Sequence, residues 1–119
     1  MAKKKSKKGV SFVALERKLL HTKQWKALPV SEKILYIHTK ARYVPGNNGE
    51  IVMPYRAMRG VKGCSNHSVI SAAFAGLIKK GWLKRTQAGG LYRKINMYRL
   101  TFNHDHYDGP NINKNKRGR

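Results

Sequence analysis

The sequence predicts a mainly helical α+β domain that is closed by a small antiparallel sheet. Apolar residues recur at helical spacing in several segments between residues 11 and 80, and a glycine pair separates two β-prone segments between residues 82 and 101. Clusters of Gly, Pro and Asn punctuate these segments. With 119 residues, of which 40% are hydrophobic, the chain is expected to form one domain with a modest core.

The first helix is predicted over residues 11–22. Phe12, Leu15 and Leu19 recur there at positions i, i+3 and i+7, and the side chain of Ser11 can cap the N-terminus. This helix is an addition in front of the three core helices. Its apolar face is expected either to cap the domain's own core or to supply the interface of a homodimer.

The second helix is predicted to start at Pro29, because proline suits the first turn and Glu32 favours the positive end of the helix dipole. The breaker cluster at residues 45–49 ends it. Its apolar face is predicted to contain Ile34, Leu35, Ile37, His38 and Ala41. His38 is therefore expected to be a core histidine rather than a metal ligand.

Two short elements are predicted between this helix and the next one. Residues 50–53 are β-prone, and Pro54 opens a short helix over residues 55–59 that can bury Tyr55 and Met58. Since these elements are short, they are expected to connect the larger helices and to complete the sheet.

The third core helix is predicted over residues 65–80, with Ser65 as its N-cap and Gly81 after its last turn. Its buried face is predicted to consist of Ile70, Ala73, Phe74 and Leu77. Strands are predicted over residues 82–86 and 92–101, on either side of a turn at Gly89-Gly90. This order of elements is typical of a winged helix-turn-helix, with a three-helix core and a hairpin wing.

The charge is the second strong feature of the sequence. The chain has 26 Lys and Arg against 5 Asp and Glu, a formal net charge of +21. Five basic residues lie in residues 1–9 and four in residues 111–119, which leaves 17 for residues 10–110 against all five acids, a net +12. The folded part is therefore basic in its own right, which favours a polyanionic partner.

Four stretches carry a resemblance: Leu28-x-x-x-Glu32-Lys33-x-Leu35, Asn47-Asn48-Gly49-Glu50-Ile51-x-Met53-Pro54-Tyr55, Ser68-x-Ile70-Ser71 and Gly81-Trp82-Leu83-Lys84-Arg85. The chain resembles small prokaryotic winged helix-turn-helix proteins of prophages and mobile elements, and the N-terminal domains of phage-type replication initiators. The resemblance covers about residues 12–101. It implies a DNA-binding protein that acts in transcription regulation or replication.

The resemblance also implies which residues meet DNA. The helix at residues 65–80 would be the recognition helix, and the hairpin at residues 82–101 would be the wing. The candidates for contacts to bases are Asn66, His67, Ser68, Ser71 and Ala72. On the wing, the resemblance implies phosphate contacts by Lys84, Arg85, Arg93 and Lys94. Apart from the resemblance, the further candidates for phosphate contacts are Arg56, Arg59 and Lys62 on the short helix and turn, and Lys79 near the end of the third helix. Most of the exposed helix residues are short, so few bidentate contacts to base edges are expected.

The proposed organisation is a basic arm (residues 1–9), the folded domain (residues 10–103) and a polar, basic C-terminal tail (residues 104–119). Residues 104–108 contain two histidines and two aspartates, but their spacing matches no familiar metal signature, so no metal site is expected. Cys64 is the single cysteine, so the chain cannot form an internal disulfide. The protein is expected to be cytoplasmic and nucleoid-associated.

Two alternatives to duplex DNA remain open. One is an RNA-binding or ribosome-associated winged helix, since RNA helices are recognised mainly by shape. The other is a protein-interaction module that uses the small residues of the third helix. With five carboxylates and no evident nucleophile–base arrangement, the chain is not expected to be an enzyme, and no cofactor is implied.

Overall fold

The computed structural model describes residues 12–44, 46–90 and 94–106. Within them, three α-helices precede a two-stranded antiparallel hairpin, which confirms the predicted α+β class. The α-helices are α1 (Lys23–Lys26), α2 (Val30–Lys40) and α3 (His67–Lys79), and the strands are β1 (Leu83–Gln87) and β2 (Met97–Leu100). Two 3-10 helices cover Arg17–His21 and Tyr55–Met58.

Helix α3 buries the face that its sequence pattern predicts. Ile70, Ala73, Phe74 and Leu77 are all buried. The predicted N-cap is wrong by one residue, because Asn66 has the extended backbone of an N-cap and its side chain accepts a hydrogen bond from the backbone N–H of Ser68. Gly81 follows the helix with a positive φ of 86°, a conformation that favours glycine and ends the helix.

The hairpin and one further residue form the sheet. Strand β1 pairs antiparallel with β2, and the buried Leu83 lies opposite the buried Leu100. The predicted strand at residues 50–53 is reduced to a single bridge between Ile51 and Tyr98. The second predicted strand is also too long, because residues 94–96 are not in a strand.

The predicted N-terminal helix is wrong. Residues 12–16 are not helical, the 3-10 helix covers only Arg17–His21 of the predicted range, and α1 begins after that range. The side chain of Thr22 accepts a hydrogen bond from the backbone N–H of Trp25 and so caps α1, where the predicted helix was expected to end. Leu19 is buried and Leu15 packs against the core, whereas Phe12 is 73% exposed. The segment therefore caps the core, as one of the two alternatives predicted.

The buried face of α2 differs from the predicted face. Ile34, Ile37 and His38 are only half-buried and Ala41 is exposed, while Glu32, Leu35, Tyr36, Thr39 and Lys40 are buried. Helix α2 is rotated because the ring of Tyr36 packs edge-on against Trp25 and Trp82. The hydroxyl of Tyr36 points inward because it donates a hydrogen bond to Asp105. Burial of this phenol, together with the adjacent carboxylate, raises the pKa of Tyr36.

The segment after β2 packs back onto the domain. Asp105, which was expected in the polar tail, is 1% exposed, and its Oδ2 accepts a hydrogen bond from Nζ of Lys40 at 2.6 Å. Its charge is thus balanced inside the fold, as a buried carboxylate requires. No helix within the described residues has the length and the apolar character needed to cross a membrane.

Candidate nucleic-acid interface

All five residues that were predicted to contact bases lie on the exposed face of α3 or, in the case of Asn66, at its N-cap. Asn66, His67, Ser68, Ser71 and Ala72 are all exposed. Two of them are partly engaged in the protein itself. Oδ1 of Asn66 accepts hydrogen bonds from the backbone N–H of Ser68 at 2.9 Å and from its hydroxyl at 2.7 Å. In this arrangement the amide Nδ2 of Asn66 and the ring of His67 are the longer polar groups that can contact a ligand at this end of α3.

His67 stands at the exposed end of a row of aromatic rings. The centroid of its ring lies 4.5 Å from that of Tyr55, and Tyr55 lies 6.1 Å from Phe74. Phe74 in turn stacks on Tyr98 at 4.4 Å with parallel planes. The row therefore joins the start of α3 to the 3-10 helix at Tyr55–Met58 and to strand β2.

Arg85 lies close to the Tyr98 end of this row. The pKa of Tyr98 is raised to about 12, mainly by burial and also by the phenol of Tyr55, and the guanidinium of Arg85 opposes this rise. Arg85 pairs with Tyr98 across the hairpin, and directly paired residues point to the same face of a sheet. Arg85 therefore points to the side of the hairpin that faces α3 and Tyr55.

Lys84 points to the other side. It pairs with Arg99 across the hairpin, and both residues are exposed. Successive residues of a strand point to opposite faces, so Lys84 and Arg99 lie on the face that turns away from the core. The sequence predicted that the cations of the wing act together, whereas the register of the hairpin places Lys84 and Arg85 on opposite faces. Arg99 was not among the predicted phosphate contacts. Its alternation with Tyr98 in the predicted strand was the signal that could have identified it as an exposed cation of the hairpin.

Lys94 lies on the Tyr55 side. A pocket of about 300 Å³ separates the segment around Pro54 from the hairpin, and both Tyr55 and Lys94 line it. The other lining residues are Val52, Met53, Pro54, Gly89, Gly90, Ile95 and Asn96. We call His67, Tyr55, Arg85 and Lys94 the Tyr55 surface, because each of the other three residues lies near Tyr55 or the ring row that contains it.

The remaining predicted phosphate contacts lie at various distances from this surface. Arg56 is exposed and follows Tyr55 directly, and Arg59 and Lys62 are exposed in the turn that leads to α3. Lys79 is at the opposite end of α3 from His67, about 18 Å away along a helix that rises 1.5 Å per residue. Arg93 and the basic arm lie outside the described residues, as does the tail beyond His106.

Among the residues that the structure describes, no carboxylate forms an ion pair with the cations of the Tyr55 surface. Among the described residues, ion pairs join Lys40 to Asp105 and Lys80 to Glu32. Neither pair includes Arg85 or Lys94. Positive charge that the protein itself does not neutralise is available to a polyanion.

Within the same residues, no group of three or more His, Cys, Asp and Glu side chains is placed to hold a metal ion. Cys64 is buried, and this burial raises the pKa of its thiol. No protein-family model, no curated protein and no solved structure matches this chain.

Proposed function

We propose that this chain binds duplex DNA as a winged helix-turn-helix domain. Helix α3 is the recognition helix, the 3-10 helix at Tyr55–Met58 precedes it, and the β1–β2 hairpin is the wing. The biological role follows the resemblance in sequence: a regulator or replication-associated factor of a phage or mobile element, acting in the cytoplasm at the nucleoid.

The observation that carries this proposal is the Tyr55 surface. Three separate segments bring His67, Arg85 and Lys94 to Tyr55 or to the row of rings that contains it, and neither cation forms an ion pair with a carboxylate among the described residues. A recognition helix beside a basic wing can contact base edges and the flanking phosphates together.

The chemistry of α3 favours phosphate contacts over base readout. Ser71 and Ala72 are exposed but short, so they allow the helix backbone to approach the groove closely. They are too short to make the two hydrogen bonds that identify a base. His67 and the amide of Asn66 remain for base edges. We therefore infer that most of the affinity is electrostatic and that binding is either general or modestly sequence-dependent.

Competition between nucleic acids tests this proposal. A labelled random-sequence duplex is bound by the full chain, and unlabelled duplex DNA or structured RNA of equal length is added as competitor. Duplex DNA should displace the probe more effectively than RNA does. Preferential displacement by RNA would instead assign the domain to RNA-binding winged helices, and failure to bind either would leave a protein partner as the ligand.

A further inference from the structure

A pocket lies between the segment that leads into the 3-10 helix at Tyr55–Met58 and the parts of the hairpin that follow β1 and precede β2. We call it the hairpin pocket. One wall consists of Val52, Met53, Pro54 and Tyr55, and the other of Gly89, Gly90, Lys94, Ile95 and Asn96. Its volume of about 300 Å³ is at the lower end of the range for small-molecule sites. The pocket can therefore hold one small group of a larger ligand.

Hydrogen bonds fix the hairpin wall of this pocket. The backbone N–H of Gly90 donates to the carbonyl of Lys94 at 3.0 Å, and that of Gly89 donates to Oδ1 of Asn96 at 2.7 Å. A Cβ at Gly89 would lie only 3.0 Å from the backbone N of Asn96, so the glycine allows the two sides of the hairpin to approach this closely. The wall is thus formed before a ligand binds, which lowers the entropic cost of binding.

The opposite wall contains the ring of Tyr55, which its neighbours hold in place. The centroid of this ring lies 4.5 Å from that of His67 and 6.1 Å from that of Phe74. Met53 in the same wall is buried, whereas Tyr55 is half-buried and keeps part of its surface for a ligand. A fixed aromatic ring in the wall of a pocket can stack on a planar ring of a ligand.

The lining combines apolar side chains with one cation. Val52, Met53, Pro54 and Ile95 are apolar, and the exposed Lys94 carries the positive charge. Neither Asp nor Glu belongs to the described lining, and no carboxylate of the described residues forms an ion pair with Lys94. The complementary ligand has a planar ring joined to an anion. A nucleotide has this chemistry, with its base for the apolar walls and its phosphate for the ammonium.

We propose that the hairpin pocket binds the base of one unpaired nucleotide, which stacks on Tyr55 while its phosphate contacts Lys94. A base inside an intact duplex is stacked and paired, so only a single-stranded base or one turned out of the helix can enter. This site deepens the proposed function and rests on it, because α3 and the wing would hold the duplex beside the pocket. The chain would then bind a duplex with an unpaired nucleotide more tightly than a fully paired one.

Three DNA probes of the same sequence test this site. One is a fully paired duplex, the second has one extra unpaired thymidine in the middle of one strand, and in the third an abasic residue replaces that thymidine. The second and third probes have the same phosphates and the same interruption of the helix, so they differ only in the base. Fluorescence anisotropy at about 100 mM salt measures the affinity of the full chain for each probe. The unpaired-base probe should bind about tenfold more tightly than the abasic probe, because one base stacks on an aromatic side chain.

Variants on the two walls locate this preference. Tyr55→Leu should reduce the ratio of the two affinities to less than about threefold, because the stacking ring is lost. Ile95 is 48% exposed, so Ile95→Ala lowers the same ratio without a change in the core. Lys94→Gln should weaken binding of both probes equally, since both contain the phosphate. Val30→Ala, at an apolar residue that is 65% exposed and does not line the pocket, is the control and should leave the ratio unchanged. Circular dichroism checks that every variant is folded.

Each result bears on a different part of the account. Equal affinities for the unpaired-base and abasic probes would overturn the base site and leave the binding of duplex DNA intact. A tenfold ratio that persists in both Tyr55→Leu and Ile95→Ala would place the base outside the hairpin pocket and would also overturn the site. If none of the three probes binds, the proposed function fails and the base site fails with it.

Discussion

Cations have opposite surroundings at the Tyr55 surface and at the edge of the domain formed by Ala14, Lys40 and Asp105, which we call the Lys40 edge. At the Lys40 edge, a buried lysine is neutralised by a buried aspartate and also bonds a backbone carbonyl. At the Tyr55 surface, Arg85 and Lys94 are exposed, and neither takes part in an ion pair among the described residues. The comparison indicates that the first charge holds the fold together, whereas the second group is available to a ligand.

Removing the buried carboxylate should have the largest effect on stability. Asp105→Ala removes the carboxylate that pairs with the buried ammonium of Lys40, and breaking such a pair costs about 3–5 kcal/mol. Urea unfolding measures this loss. Arg85→Ala at the Tyr55 surface is the comparison, and it should change stability by less than about 1 kcal/mol. Equal losses for the two variants would mean that the two regions do not differ as described.

The second prediction concerns the two faces of the hairpin. Arg85→Gln should weaken duplex binding by about tenfold, or about 1.4 kcal/mol, because Arg85 faces the Tyr55 surface. Lys84→Gln removes one charge from the adjacent residue on the opposite face and should cost less than about threefold. Anisotropy titrations of both variants measure the difference. A larger loss for Lys84→Gln would place the outer face, with Arg99, against the nucleic acid.

The third prediction tests the other ion pair. A Cβ at Gly76 would overlap Oε2 of Glu32, so Gly76→Ala must displace the carboxylate that binds Lys80. Displacing the carboxylate destabilises the fold, whereas the higher helix propensity of alanine stabilises it by about 1 kcal/mol. The two effects on the free energy of unfolding should therefore nearly cancel. When Glu32→Ala is already present, Gly76→Ala should instead stabilise by about 1 kcal/mol. Chemical unfolding of the four chains measures this coupling, and additive effects would contradict it.

The smallest effect on duplex affinity is expected from substitution of His67. His67→Ala removes one of the longer polar side chains at the start of α3 but no permanent charge, so affinity for random duplex should fall by less than about threefold. The sequence preference should change more, as measured by selection from a random duplex library. Ser71→Ala on the same face is the control. If the preference of the two variants is the same, His67 does not read bases.

Sequence periodicity was sufficient to predict the buried face of α3 and the order of the helix and the two strands at the end of the domain. The buried face at Ile70, Ala73, Phe74 and Leu77 follows from spacing within a single helix, and the hairpin follows from its glycines. These features depend on residues that are close together in the chain. They could therefore be predicted without knowledge of the tertiary structure.

The features that could not be predicted depend on distant partners. From the sequence, Asp105 belongs to a polar tail. In the structure it is buried because it contacts Tyr36 and Lys40, which lie more than 60 residues earlier in the chain. The same contacts explain why α2 turns a face with Tyr36 and Lys40 inward. At the candidate interface, the exposure of the α3 residues followed from the sequence. The separation of Lys84 from Arg85 depends on the hairpin register, which composition does not reveal.

The salt dependence of duplex binding tests the central claim most directly. The affinity of the full chain for a random-sequence duplex is measured between about 50 and 200 mM salt, and its logarithm is plotted against the logarithm of the salt concentration. If the Tyr55 surface, the basic arm and the basic C-terminal tail neutralise phosphates, the slope is steeply negative, by about 0.9 for each phosphate contacted. A slope near zero would contradict the account, because uncompensated cations would then contribute nothing to binding.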